Sequence, residues 1–255
     1  MKDKRRNSVA NEHPRPASFI PMLASRLVGD CRDGEGAWGG ATSDTKVISP
    51  LSFILHPSST IKAVVLDLDG TLYDKCGIVR RMVLGQLGSL SVLAAEQRSK
   101  KALRGHYFGT EEAFYARFFE AMSHGHLYSA KVARWWYFHI YMPLMVLVLR
   151  LWHTPRAWVK PLIEECHRRG IYLAVYSDYG CVHEKLRALG LDTNDFCYLV
   201  SAPELGGLKP AKECAEKVLQ TLGVAPEETL FVGDRDDTDG ESARAVGAQF
   251  VLIKD

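Results

Sequence analysis

The feature that most constrains this chain is a set of short apolar runs, each ending at or beside a turn, that alternate with stretches of helical period. The first, "IKAVVLDLDGTL", carries the nearly continuous run Ala63 to Leu66 just ahead of Asp67, the pattern of a strand buried on both faces of a parallel sheet. Similar runs follow at Ile171 to Asp178, Phe196 to Ala202, Thr229 to Asp234 and Gln249 to Ile253. Between the later four lie helical patterns at Val182 to Leu189, Ala211 to Leu222 and Gly240 to Val246, closed by Gly190, Gly223 and Gly247, because glycine accepts the left-handed conformation that ends many helices. Five such strands separated by helices predict an α/β fold, a Rossmann-like parallel five-stranded sheet covered on both faces.

The interval from Leu72 to Trp158 has no strand signal. It shows helix-length stretches at Ile78 to Leu90, Val92 to Leu103, Glu111 to Met122 and Ala130 to Leu151, which predicts an all-helical insertion between the first two strands. Pro143 is expected to kink or divide the last of these, since proline lacks an N–H and crowds the preceding turn. The aromatic residues Phe108, Phe114, Tyr115, Phe118, Phe119, Trp135, Trp136 and Tyr137 are expected to form the core of this insertion. The domain boundaries that follow are a catalytic core over 61–74 and 161–255 and a helical cap over 75–160. Residues 1–60 mix Pro, Gly, Ser and charge without a period and read as a poorly ordered extension.

Composition narrows the partners. The net charge is only +2, which gives no global reason to expect nucleic acid. The charge is unevenly placed, however: the stretch 75–160 holds 13 Lys and Arg against 4 Asp and Glu, whereas the proposed core holds 11 against 20. A basic cap facing an acidic core suits an anionic substrate, although the same cations could equally solvate helix faces. The six cysteines are scattered with no CxxC pair, so free thiols in a reducing, cytoplasmic compartment are the expectation. The longest apolar segment, Phe138 to Leu149, is too short to cross a bilayer, and no secretory leader is recognisable. The expected assembly is a monomer or homodimer.

In an open parallel sheet, ligands bind beyond the carboxyl ends of the strands. That rule selects Asp67 and Asp69 after the first strand, Ser177 and Asp178 at the end of the second, and Asp234 after the fourth, with Asp236, Asp237 and Asp239 close behind. Carboxylates brought together from distant segments repel one another unless a cation neutralises them. All-oxygen donors suit a hard ion such as Mg²⁺. The pair His124 and His126 lacks a third ligand nearby and reads as a surface turn.

The motifs "DLDGTL", "YSD", "GLKP" and "GDRDDTD", in this order and at these strand ends, resemble those that define the haloacid dehalogenase superfamily. The resemblance covers Ile61 to Asp255 in architecture, with the helical insert matching in position and type alone. It implies that Asp67 is the nucleophile that forms an aspartyl-phosphate and that Asp69 protonates the leaving oxygen and then deprotonates water. It implies that Thr71 holds Asp69 and the loop, that Gly70 turns the chain sharply, that Ser177 binds a phosphoryl oxygen, and that Lys209 offsets the charge of the transferring group. The phosphate would thus meet Gly70, Thr71, Ser177, Asp178 and Lys209. Mg²⁺ would be held by Asp67, the backbone carbonyl of Asp69, Asp234 and Asp239, leaving Asp236 and Asp237 as loop residues.

The activity implied is Mg²⁺-dependent hydrolysis of a small phosphorylated metabolite, with no nucleic acid and no membrane span. A phosphomutase of the same fold and a non-catalytic binding protein are the alternatives. Dehalogenases of this superfamily lack the second aspartate, so Asp69 speaks against that chemistry. Phosphonate cleavage would need a cap lysine, for which Lys75, Lys100, Lys101 and Lys131 are the candidates.

Overall fold

Five strands, β1 (Ala63–Leu66), β2 (Tyr172–Ser177), β3 (Tyr198–Ser201), β4 (Thr229–Gly233) and β5 (Gln249–Leu252), form one parallel sheet in the order β3-β2-β1-β4-β5. The structure is a computed structural model and describes residues 50–56, 60–78, 81–82 and 90–254. β1 is buried at every position, as its unbroken apolar run requires. Ala63 is in register with both Tyr172 and Thr229, and Leu66 with both Val175 and Val232. β1 and β4 therefore end nearly level, β2 runs on beside β3 to Ser177, and Asp67, Ser177 and Asp234 lie along the same carboxyl edge of the sheet.

Alternate strand residues feed two cores. Val64, Leu66, Leu173, Val175, Leu230 and Val232 enter one cluster, while Val65, Ala174, Tyr176 and Phe231 enter the other. Helix α5 (Val159–Arg169) and α6 (Val182–Ala188) serve the first face, and α7 (Lys212–Leu222) and α8 (Glu241–Val246) the second. α7 and α8 end at Gly223 and Gly247, both left-handed. α5 has no counterpart in the sequence reading, although Val159, Leu162, Ile163 and Cys166 recur at helical spacing and are all buried. The expectation for residues 1–60 lies largely outside the described residues; within it, Pro50–Leu55 is a helix, α1, that lies against α5.

Between β1 and β2 the described residues contain helices α2 (Leu90–Leu103), α3 (Glu111–Ser123) and α4 (Ala130–Trp152). Ile78, Arg81 and Met82 are helical too, while most of the helix expected over Ile78 to Leu90 falls outside the described residues. The side chain of Thr110 accepts a hydrogen bond from Ala113 N and starts α3. α3 buries Phe114, Tyr115, Phe118, Phe119 and Met122, with Phe118 and Tyr115 packing edge-on against Tyr137 and Phe138 of α4. Trp135 departs from the expected aromatic core, because its position on α4 faces outward and it is 55% exposed.

Pro143 does not end α4, which continues as helix on both sides of it. Instead Tyr137–Tyr141 opens into a π turn, with the N–H of Met142 bonded to Tyr137 O. The wider turn absorbs the missing proline N–H and the ring's clash with the preceding turn, and the helix runs on. α4 is long and apolar enough to cross a membrane by length and composition, yet 44% of its most apolar window is buried inside the fold.

Candidate active site

Asp67 lies just beyond β1, its N–H bonded to Val232 O at 2.8 Å, so the sheet itself fixes where its carboxylate begins. The next residues wind back as a turn in which Leu72 N reaches Leu68 O at 3.1 Å. Gly70 sits in this turn at φ +99°, and a Cβ there would lie 2.7 Å from Asp234 Oδ2. Glycine is needed both for the conformation and for the close approach of the two loops.

Three carboxylates converge. Oxygens of Asp67, Asp234 and Asp239 all lie within 4.8 Å of one another. Asp67 arrives from β1, whereas Asp234 directly follows β4 and Asp239 lies within the π turn Asp236–Gly240 that comes next. Lys209 is buried between two of them, its Nζ 2.9 Å from Asp67 Oδ1 and 2.8 Å from Asp239 Oδ1. Lys75 reaches Asp234 Oδ2 at 2.6 Å from a position 42% exposed.

Burial raises the Asp239 carboxyl to about 7 against the pull of Lys209, with the Asp67 charge adding to the rise. Burial also raises Asp234, against Lys75. Burial opposes the Lys209 ammonium, but Asp239 and Asp67 outweigh it and hold it charged well above the usual range. Three acids facing one buried ammonium leave negative charge unbalanced, a repulsion that a bound cation would relieve. The donor set, all carboxylate oxygen, fits a hard divalent cation such as Mg²⁺. Among the described residues no other group of three potential metal ligands of this kind occurs, and His124 and His126 belong to none.

Asp69, two residues on, is held apart from that trio. Its Oδ2 accepts from Lys185 Nζ at 2.7 Å and Ser177 Oγ at 3.1 Å, and its Oδ1 from Tyr73 Oη at 2.8 Å. Burial penalises its charge, but the Lys185 ammonium and the Tyr73 hydroxyl prevail and hold the carboxyl below its ordinary value. Two aspartates on one turn thus sit in different environments, one in the acidic trio and one in a buried cage of donors. The Asp69 side chain takes no place among the three converging carboxylates, which leaves its main-chain carbonyl as the group through which the resemblance would have it meet an ion.

Thr71 does not hold Asp69: its Oγ1 donates to Asp67 Oδ2 at 2.8 Å, because the helical turn carries residue 71 back over residue 67 rather than 69. Ser177 is fully buried, donates to Asp69, and accepts Tyr179 N at 3.1 Å. Asp178 Oδ1 accepts Lys209 N at 3.0 Å and so orients the loop that carries Lys209. Asp236 pairs with Arg244, and Asp237 with Arg235 and Arg104, consistent with loop roles.

Several participants carry no motif. Lys185 on α6 and Tyr73 position Asp69. Arg156 Nη2 donates to Gly70 O at 3.1 Å and steadies the turn. From the cap, Lys100 of α2 donates to Asp178 O at 3.1 Å and lies 2.8 Å from the centre of the Tyr179 ring, with burial lowering it to about 8. The basic residues of the insertion therefore divide: Lys100 and Arg104 contact core loops, while Arg98 meets His126 at the surface.

Comparison with known proteins bears on the family and the fold. The profile of the haloacid dehalogenase-like hydrolases matches residues 61–247. A phosphoserine phosphatase from Thermus thermophilus is 33% identical over 93 residues, which is 36% of this chain and 37% of that protein; the match thus spans little more than a third of the relative's length. Among solved structures, the 2-haloacid dehalogenase from Pseudomonas syringae superposes with a TM-score of 0.53 at 19% identity, covering 75% of this chain and 86% of the other. CbbY from Rhodobacter sphaeroides, solved in complex with phosphate, superposes with a TM-score of 0.51 at 20% identity, covering 75% and 85%. At these identities the superpositions speak for the fold.

Proposed function

The chain belongs to the haloacid dehalogenase-like hydrolase family, and we propose that it is a magnesium-dependent phosphohydrolase acting on a small phosphate monoester in the cytoplasm. The observation that carries this reading is the separation of roles between Asp67 and Asp69. Asp67 lies against Lys209 and the two further carboxylates, where an incoming phosphoryl group and a cation would meet it. Asp69, caged by Lys185, Tyr73 and Ser177, is close to Asp67 in the chain and chemically distinct from it.

Mg²⁺ held by Asp67, Asp234 and Asp239 would neutralise charge on the phosphoryl oxygens. The chain's own residues do the rest. Asp67 attacks phosphorus and carries the phosphoryl group as an acyl phosphate, dividing one hard displacement into two. Lys209, already shared between Asp67 and Asp239, stays charged throughout and lowers the cost of the anionic transition state. Asp69 passes a proton to the leaving oxygen and afterwards draws one from the attacking water. Thr71 holds Asp67 Oδ2 while Lys209 holds Oδ1, so the nucleophilic carboxylate is fixed in orientation from both sides. The second aspartate also supports phosphoryl rather than dehalogenation chemistry.

A phosphomutase would share these groups and differ in the acceptor. The free thiols of Cys166, Cys181, Cys197 and Cys214 suit a reducing compartment. The test is release of inorganic phosphate from a generic aryl phosphate with and without Mg²⁺, with Asp67→Asn as control. Metal-dependent release abolished by the substitution supports the reading. No release across a broad panel of phosphorylated metabolites favours a binding role instead.

A further inference from the structure

The general acid must face the oxygen that leaves, so the organic part of the substrate occupies whatever space Asp69 opens onto. That space is a cavity of about 410 Å³. Away from the carboxylates it is walled by Ile78, Met82, Leu93 and Met145 together with the rings of Tyr141 and Tyr179. Among the described residues its charged members cluster at the catalytic end and already have partners: Lys75 is paired with Asp234, and Arg235 with Asp237.

The polar groups of the wall are engaged as well. The Tyr73 hydroxyl donates to Asp69, Gln97 Nε2 donates to Glu96, and the Tyr141 and Tyr179 hydroxyls bond each other. A sugar or an amino acid placed there would lose water from its hydroxyls or ammonium without regaining partners. A hydrocarbon would lose nothing and remove apolar wall from solvent.

We propose that the leaving alcohol is bulky, apolar and uncharged, so that the substrate class is alkyl or aryl phosphate monoesters. This rests on the phosphohydrolase reading above and sharpens it. A second, basic hollow beside Lys100, Lys101 and Arg104 would instead suit a substrate with another anionic group, but Asp69 does not line it. Two of its cations are already committed, Arg104 to Asp237 and Lys100 to Asp178 O and the Tyr179 ring.

The experiment is a series on the full chain with Mg²⁺: acetyl phosphate, n-alkyl phosphates from methyl to octyl, O-phosphoserine, glucose 6-phosphate, and alkane bisphosphates of matching length. The expected result is a kcat/KM that climbs about threefold per methylene until the cavity is filled, with the longer alkyl esters well ahead of phosphoserine, the sugar phosphate and the bisphosphates. Leu93→Asp, on the half-buried wall, should reduce the increment per methylene. A flat series, or a preference for the polar or doubly charged esters, with acetyl phosphate still hydrolysed, overturns the substrate class alone. Release from none of them, acetyl phosphate included, overturns the phosphohydrolase reading along with it.

Discussion

Lys185 Nζ lies 2.7 Å from Asp69 Oδ2, and the two side chains are 0% and 8% exposed. A buried pair of this kind is sensitive to the loss of one partner, because the other is left as an uncompensated charge. Tyr73 and Ser177 complete the enclosure, so the acid–base group is oriented by the core rather than by the cap. Lys185 is a positioning residue.

Lys185→Met should lower kcat by about 10- to 100-fold, the range expected when a proton-transferring group loses its orientation. It should also move the alkaline limb of the kcat/KM profile, which reports the protonated Asp69 that the first step needs, to higher pH. The ammonium lowers the Asp69 carboxyl, so its removal lets that carboxyl rise and hold its proton to higher pH. A pH–rate profile of the variant with unchanged limbs would show that Lys185 serves only to fill space.

Lys75 occupies one oxygen of a carboxylate assigned here to the cation. A partly exposed ion pair contributes no more than about 1 kcal/mol, so the competition is mild. Lys75→Met should reduce the Mg²⁺ concentration for half-maximal activity by roughly two- to fivefold, measured by titrating metal into the chelator-stripped protein. An increase would show that Lys75 supports the metal-bound state.

The sheet and the acidic trio were legible because both depend on local patterns. A continuous apolar run must be buried on two faces, and acids just past its end must lie along the carboxyl edge of the sheet. The partners of Asp69 were not legible as motifs, yet a signal was present for one. Lys185 shares a helical stripe with Val182, Leu186 and Leu189, at the i, i+3, i+4, i+7 spacing that turns inward, and it is buried with them. A lysine inside an apolar stripe needs an anion to meet it. The partner of Thr71 depended on the helical form of the loop, which a Gly-containing turn does not announce. The π turn before Pro143 was hidden likewise, since sequence shows the missing N–H but not how the chain accommodates it.

Glu96 shows the same signal on α2. It is wholly buried, its Oε1 has no hydrogen-bond partner among the described residues, and burial raises it to about 7 despite Lys100. The folded protein holds this proton to higher pH than the unfolded chain does. The associated stability is therefore present at low pH and lost as pH rises from about 4.5 through about 7. Glu96→Gln should raise unfolding free energy at pH 8.5 by about 2 kcal/mol, with the gap closing towards pH 4.5. Denaturant titrations at the two pH values check this; a constant gap would show that folding leaves the Glu96 carboxyl unshifted.

The central claim is that Asp67 carries the phosphoryl group in transit. Its most direct test is to mix the Asp69→Asn variant, which should accumulate the intermediate, with Mg²⁺ and a reactive phosphate donor, quench in acid, and map the protein by mass spectrometry. A single acid-stable, hydroxylamine-sensitive phosphoryl adduct on the peptide bearing Asp67, absent when Asp67→Asn is added, is the predicted result. Phosphate release by the unaltered protein with no adduct trapped, or an adduct that persists without Asp67, would contradict it.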